Sequence, residues 1–226
     1  MKEKPRTAQQ LERYYRRLLK AYGPQHWWPA DSRFEIMIGA ILTQNTAWRN
    51  VERAVANLKR EGLMTPRTLD RVPLSRLAEM IRPSGYFRVK AGRVKAFVRF
   101  LTQQYEGDLK RMKSEPVGIL RSKLLSVKGI GPETADSILL YALDVPVFVI
   151  DAYTRRVLNR HRLIPSKVSY DQIQLFFMGH LHLRADLYNE YHALLVKVGK
   201  EHCKPTPACQ GCPLRVYLNG KQPKIW

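Results

Sequence analysis

An all-α fold is predicted by three features of the chain. Apolar residues recur at the three- and four-residue spacing of a helix face along most of its length. Proline and glycine fall between the periodic segments and divide them. The one run with strand composition, Val145 to Ile150, is short and lies between helices, so an extended buried connector suits it equally well.

The elements follow in order. Residues 8 to 22 form a first helix with Leu11, Tyr14, Leu18 and Leu19 on one face, and Gly23, Pro24 and Pro29 break it. Helices are predicted over 33 to 43 and 47 to 61, the latter burying Val51, Ala54, Val55 and Leu58. Thr65-Pro66 opens a short helix to 71, and another covers 74 to 81. After the Pro83-Ser84-Gly85 turn, a helix from 88 to 104 turns Ala91, Val94, Phe97, Val98 and Leu101 inward and Lys90, Arg93, Lys95 and Arg99 mostly outward. Helices over 116 to 125 and 133 to 143 flank a tight turn at 127 to 132. Asp151 starts a helix to His161, and the last long helices cover 169 to 183 and 187 to 201. The tail from 202 reads as loop. Two helical lobes are expected, one over 32–143 and one from 1–31 with 144–226, with a ligand cleft between them.

Lys plus Arg number 39 against 19 Asp plus Glu, a formal charge of +20 on 226 residues. These cations run along the whole chain rather than in one tail, which suits contact with a long polyanion and predicts salt-dependent binding. No apolar run is long enough to span a bilayer, and the polar start, Met1 to Pro5, does not read as a signal peptide. A cytoplasmic, nucleoid-associated monomer is expected. Cys203, Cys209 and Cys212 lie close together, and in a reducing compartment that clustering suggests a metal or cluster site more than a disulfide.

The most informative stretch is Leu124 to Asp136. A helix ends, a turn carries Gly129 and Gly131 around Ile130, and a new helix opens with Pro132. Glycine lets backbone N–H groups point outward near a helix N-terminus, which makes an anion-binding concavity. Lys128, Gly129, Gly131 and Thr134 are the candidate contacts to a DNA phosphate. Such contacts fix position and carry no sequence information. The plain alternative is an ordinary helical hairpin.

The run Val127 to Asp136 resembles the helix-hairpin-helix of the endonuclease III superfamily of DNA glycosylases. Val145 to Asp151 resembles that family's second signature, Leu42 to Thr46 its duplex-entering segment, and the cysteines its iron–sulfur loop. The resemblance covers about residues 30 to 215 in the family's order. It implies the two-lobed helix-hairpin-helix glycosylase fold, duplex DNA as partner and base release by flipping. It assigns Asp151 as the catalytic carboxylate, stabilising an oxocarbenium-like sugar; helix capping alone is the plain alternative.

Strand-cutting members carry a lysine after the hairpin glycines that forms a Schiff base. Glu133 stands there in this chain, which implies base release without efficient strand cleavage. Trp27-Trp28-Pro29 and Ile41 to Trp48 resemble the 3-methyladenine glycosylase branch. Trp28 and Trp48, with Trp27 and Glu133, are the candidate base pocket, since indoles attract the cationic ring of an N-alkylated purine; a place in the core is the alternative. Gln44 and Asn45 are candidates for filling the gap left by the flipped base or touching the opposite strand, and Arg155 for a flanking phosphate. A glycosylase for deaminated, mismatched or oxidised bases (uracil, thymine opposite guanine, adenine mispairs) and a non-catalytic DNA binder are the rival readings. The cysteines are one short of the family's 4Fe-4S set. A cluster with an external or His202 ligand, a Cys3His zinc site and a metal-free loop all stand open.

Overall fold

The computed structural model describes residues 3–224, and every regular element among them is helical. The α-helices are α1 Glu3–Tyr22, α2 Arg33–Leu42, α3 Trp48–Arg60, α4 Pro66–Arg71, α5 Leu74–Met80, α6 Phe87–Tyr105, α7 Leu109–Lys113, α8 Val117–Ser126, α9 Pro132–Ser137, α10 Ala152–Arg160, α11 Tyr170–Met178 and α12 Ala185–Glu201. Short 3-10 turns cover Arg82–Ser84 and Arg215–Leu218, and a π turn covers Ile138–Ala142 directly after α9. Two compact units result. One is Trp28–Val145; the other gathers the chain up to Trp27 with the chain from Pro146 onward.

In the central unit the helix starts follow side-chain chemistry. Ser32, Thr65 and Asp108 accept backbone N–H groups at the N-termini of α2, α4 and α7. Met37, Ile38 and Ile41 of α2, Val51 and Leu58 of α3, and Val94, Phe97 and Leu101 of α6 are fully buried in its core.

Two lysines of α6 overturn the outward reading of that helix. Lys90 is 1% exposed and Lys95 is also buried. Lys95 donates to the carbonyls of Leu69 (2.9 Å) and Asp70 (2.5 Å) near the C-terminus of α4. Lys90 does the same for Leu42 at the end of α2 (2.8 Å). Terminal helix carbonyls lack partners inside their own helix and carry partial negative charge. A lysine can bury its stem while its ammonium answers them. Periodicity counts lysine as a surface residue and misses this use.

In the other unit, Leu11, Tyr14 and Leu18 of α1 are buried as their spacing predicts. Tyr191 of α12 donates to the Leu11 carbonyl at 2.9 Å. Val147 to Ile150 forms no strand; it is a buried connector whose Phe148 ring stacks on Phe177 with centroids 3.8 Å apart. Two of its polar groups are met by side chains: Gln174 donates to the Phe148 carbonyl, and the Ile150 N–H donates to the Tyr170 hydroxyl.

Helices α10 and α12 meet at Gly199, where an added Cβ would lie 2.6 to 2.9 Å from Tyr153. Gly199→Ala should cost about 1–3 kcal/mol through overpacking, readable as a lower denaturant midpoint at unchanged m-value. His161, hydrogen-bonded to Tyr14, is held by burial at about 4, below its ordinary 6.5. The unfolded chain therefore binds this proton first, so stability should fall as pH drops from 6.5 toward 4. Thermal midpoints across that interval test it, with His161→Gln expected to flatten the slope.

Candidate active site and nucleic-acid interface

The hairpin is α8, the turn Val127 to Gly131, and α9. Ile130 is buried at its centre. Arg121 of α8 grips Asp136 of α9 with two parallel hydrogen bonds, 2.7 and 3.0 Å, and Asp136 is wholly buried. Lys128, Gly129, Gly131 and Glu133 are exposed. The N-cap of α9 is Gly131, which offers its first amides no side-chain hydrogen bond. Gly129 has φ +88°, and Arg93 of α6 lies so close over it that a Cβ would meet Arg93 Cγ at 2.3 Å.

Thr134 is buried, and its hydroxyl faces the segment Thr43 to Thr46. The Gln44 amide donates to the Gly129 carbonyl (3.1 Å) and to Thr134 Oγ1 (2.9 Å), while its own oxygen accepts from Arg93. Asn45 behaves differently. It is exposed and adopts the left-handed backbone, φ +50°. The two neighbouring amides thus divide: Gln44 ties the loop to the hairpin, and Asn45 points away from it into solvent.

Trp28 and Trp48 meet edge to face, centroids 4.9 Å apart, with Tyr141 of the π turn 5.3 Å from Trp28. They line one pocket with Pro29, Gly39, Glu35, Glu52 and Lys59, and Lys59 pairs with Glu35 at 2.7 Å. The pocket wall is close-packed, since a Cβ on Gly39 would sit 3.2 Å from the Trp28 ring. Trp27 belongs to the other unit, where Lys200 lies 6.0 Å over its ring.

In that second unit Asp151 is the N-cap of α10. Its Oδ1 accepts the Thr154 N–H at 2.7 Å and lies 3.8 Å from His192 Nε2. Burial lowers the His192 pKa against the pull of the Asp151 charge. A neutral imidazole leaves the carboxylate's charge uncancelled. Arg155 donates to the Val168 carbonyl (2.5 Å), and Arg156 to the Cys203 carbonyl.

Arg160, buried beside the cysteines, donates to Cys203 Sγ (3.2 Å) and to the Lys204 and Pro205 carbonyls (2.5 Å each). A small cavity is ringed by the three cysteines, Arg160, His161, His202 and apolar side chains. Burial raises the Cys212 thiol, favouring the protonated form, and Leu218 is buried. Among the described residues, no three His, Cys, Asp or Glu are grouped to hold a metal ion. Three thiols, one of them hydrogen-bonded to a guanidinium, do not supply the four thiolates of a 4Fe-4S cluster.

A family model described as HhH-GPD superfamily base excision DNA repair protein matches residues 38–181. The chain belongs to the HhH-GPD superfamily. It is a DNA glycosylase of base excision repair. It is 43% identical over 219 residues, 96% of this chain and 100% of the relative, to a Methanocaldococcus jannaschii protein named "Putative DNA repair glycosylase MJ1434". It is 26% identical to Thermotoga maritima endonuclease III over 91% of this chain and 90% of that one. Among solved structures, the Helicobacter pylori 3-methyladenine DNA glycosylase MagIII, bound to 1,N6-ethenoadenine, has a TM-score of 0.72 at 29% identity, over 86% of this chain and 97% of that one. An endonuclease III–DNA complex has a TM-score of 0.77 at 24% identity over 92% of each chain, a likeness of fold.

Several residues at these sites carried no usable sequence signal. Lys90 and Arg93 read as a solvated helix face, and His192 sits among apolar residues like a core histidine. Tyr86 did carry one: an aromatic directly after the Pro83-Ser84-Gly85 turn. It is 76% exposed, with φ +45°.

The Arg121–Asp136 pair yields a direct test. Asp136→Ala leaves a half-buried guanidinium without its carboxylate and should cost about 3–5 kcal/mol. Denaturant unfolding of the variant measures it.

Proposed function

We propose that this glycosylase hydrolyses the N-glycosidic bond of alkylated purines, of the 3-methyladenine type, flipped from duplex DNA, and leaves an abasic site uncut. The observation that carries the reading is the pair of indoles, Trp28 and Trp48, in one pocket with Glu52; Glu35 in the same lining is already paired with Lys59. An N-alkylated purine is a cation, and indole rings together with carboxylates attract cations. The likeness to MagIII, whose structure holds ethenoadenine, supports the same choice.

In this reading Asp151 is the catalytic carboxylate. The N-terminus of α10 and the Thr154 N–H orient it. As the glycosidic bond breaks, its electron pair leaves with the base, neutralising the alkylated ring. Positive charge builds on the sugar, and Asp151 stabilises it. Water adds to the anomeric carbon and releases a proton to solvent. A neutral His192 serves here by leaving the Asp151 charge whole. Glu133 offers no amine for a Schiff base, which is the basis for expecting intact strands.

Asn45 is the residue we assign to the gap beside the flipped base, with Tyr86 a second exposed candidate. Gln44 serves as the loop's tie to the hairpin. Lys128 and the hairpin amides meet the phosphates, and the protein acts as a monomer in the cytoplasm. The cysteine loop is a basic flap held by Arg156 and Arg160, and no step of the reaction passes through a metal there.

Base release from duplexes carrying 3-methyladenine, 7-methylguanine, hypoxanthine, uracil, thymine opposite guanine or 8-oxoguanine tests the assignment. The expected result is release of methylated purines, with strand breaks only after alkali. Release of uracil or thymine alone would overturn the cationic pocket. Asp151→Asn keeps the cap and should keep binding while slowing release about 10²–10³-fold. Full activity in that variant would refute the carboxylate's role.

A further inference from the structure

Lys90 is a buried cation that the reaction above does not use. Its ammonium has three donors, and three acceptors surround it: the Leu42 carbonyl at 2.8 Å, Thr46 Oγ1 at 2.7 Å and the Ser84 carbonyl at 2.7 Å. Those acceptors come from the end of α2, the far end of the loop that carries Asn45, and the turn that carries Tyr86. Thr46 Oγ1 is itself hydrogen-bonded to the Ser84 carbonyl. One turn along the same helix, Arg93 binds Gln44 in the middle of the loop. Helix α6 therefore holds the loop at two points, on either side of Asn45, which is exposed and in left-handed backbone.

We propose that Lys90 is a positioning residue for base flipping: its three-way grip fixes the Thr43–Thr46 loop and the Arg82–Ser84 turn so that Asn45 and Tyr86 meet the duplex in a set geometry. The burial is costly for a charge, and the chain bears that cost only if the ammonium is kept. Burial first, and Arg93 second, lower the Lys90 pKa to about 8, so the group stays mainly protonated at neutral pH. A methionine of similar length would pack in its place but leave the Leu42 carbonyl without that donor, the Ser84 carbonyl with Thr46 alone, and the loop without its tie. The inference rests on the reading of Asn45 as the duplex-entering residue.

The test uses the full chain and a duplex with 2-aminopurine beside a lesion that the wild type releases, so that flipping is read by fluorescence apart from chemistry. Three variants are compared with the wild type: Lys90→Met, Thr46→Val and Asn45→Ala. Lys90→Met should bind undamaged duplex within about 2-fold of wild type, since phosphate contacts dominate that affinity. Its flipping signal should fall with a loss of single-turnover release of about 10-fold or more, measured well below its melting temperature. Thr46→Val removes one acceptor and leaves the lysine; it should lose part of the signal with an almost unchanged melting temperature, and it decides the matter if Lys90→Met does not fold. Wild-type flipping and release in the folded Lys90→Met protein, or in Thr46→Val where that is the deciding variant, overturns the positioning role. If Asn45→Ala also flips normally, the duplex-entering reading falls with it. A defect in Asn45→Ala alone removes only Lys90.

Discussion

The pair between half-buried Arg121 and fully buried Asp136 is the constraint on which the hairpin and the loop tied to it depend. A bidentate guanidinium–carboxylate contact fixes both distance and plane, and here it fixes two helices joined by a short turn. With α8 and α9 so held, the turn must take a left-handed step, and Gly129 takes it. That step presents the Gly129 carbonyl beside the Thr134 hydroxyl. The two together form the socket for the Gln44 amide. Loop geometry is therefore inherited from hairpin geometry through one fully engaged side chain.

Much of this was legible in the sequence, for physical reasons. Helix positions followed from apolar spacing, and the helix starts at Thr65 and Asp151 from short side chains that accept N–H groups. The hairpin stood out because two glycines around an isoleucine and a proline at the helix start impose a narrow set of backbone choices. The short α7 gave no periodic signal in its five residues and went unread. Polarity along α6 misled because it reports cost in water and not the presence of waiting carbonyls; Lys90 and Lys95 are stable inside only where two other helices end. Trp27 and Trp28 are adjacent in sequence but belong to different units. The division of labour between Gln44 and Asn45 rested on a single backbone dihedral, which composition does not encode.

The charge of the chain also looks different once partners are assigned. Lys90, Lys95, Arg155, Arg156 and Arg160 all donate to backbone carbonyls of their own chain. These cations serve as internal cross-links between segments without regular hydrogen bonding. The formal charge of +20 consequently overstates the number of cations offered to phosphates. In the proposed reading, the exposed ones, Lys128 at the hairpin among them, carry the ion-release effect on DNA affinity.

The connector Val147 to Ile150 has a consequence for how the molecule opens. It has no helix or sheet ladder, yet it is buried and two of its polar groups are held by Gln174 and Tyr170 of α11. Irregular backbone ordinarily exchanges its amide hydrogens with solvent fast. Here deuterium can reach Val149 and Ile150 only when Phe148 leaves Phe177 and α11 lifts away, an opening that dismantles the core of that unit. This irregular segment is thus expected to exchange as slowly as the core of its unit, and Asp151, one residue further on, is anchored to it.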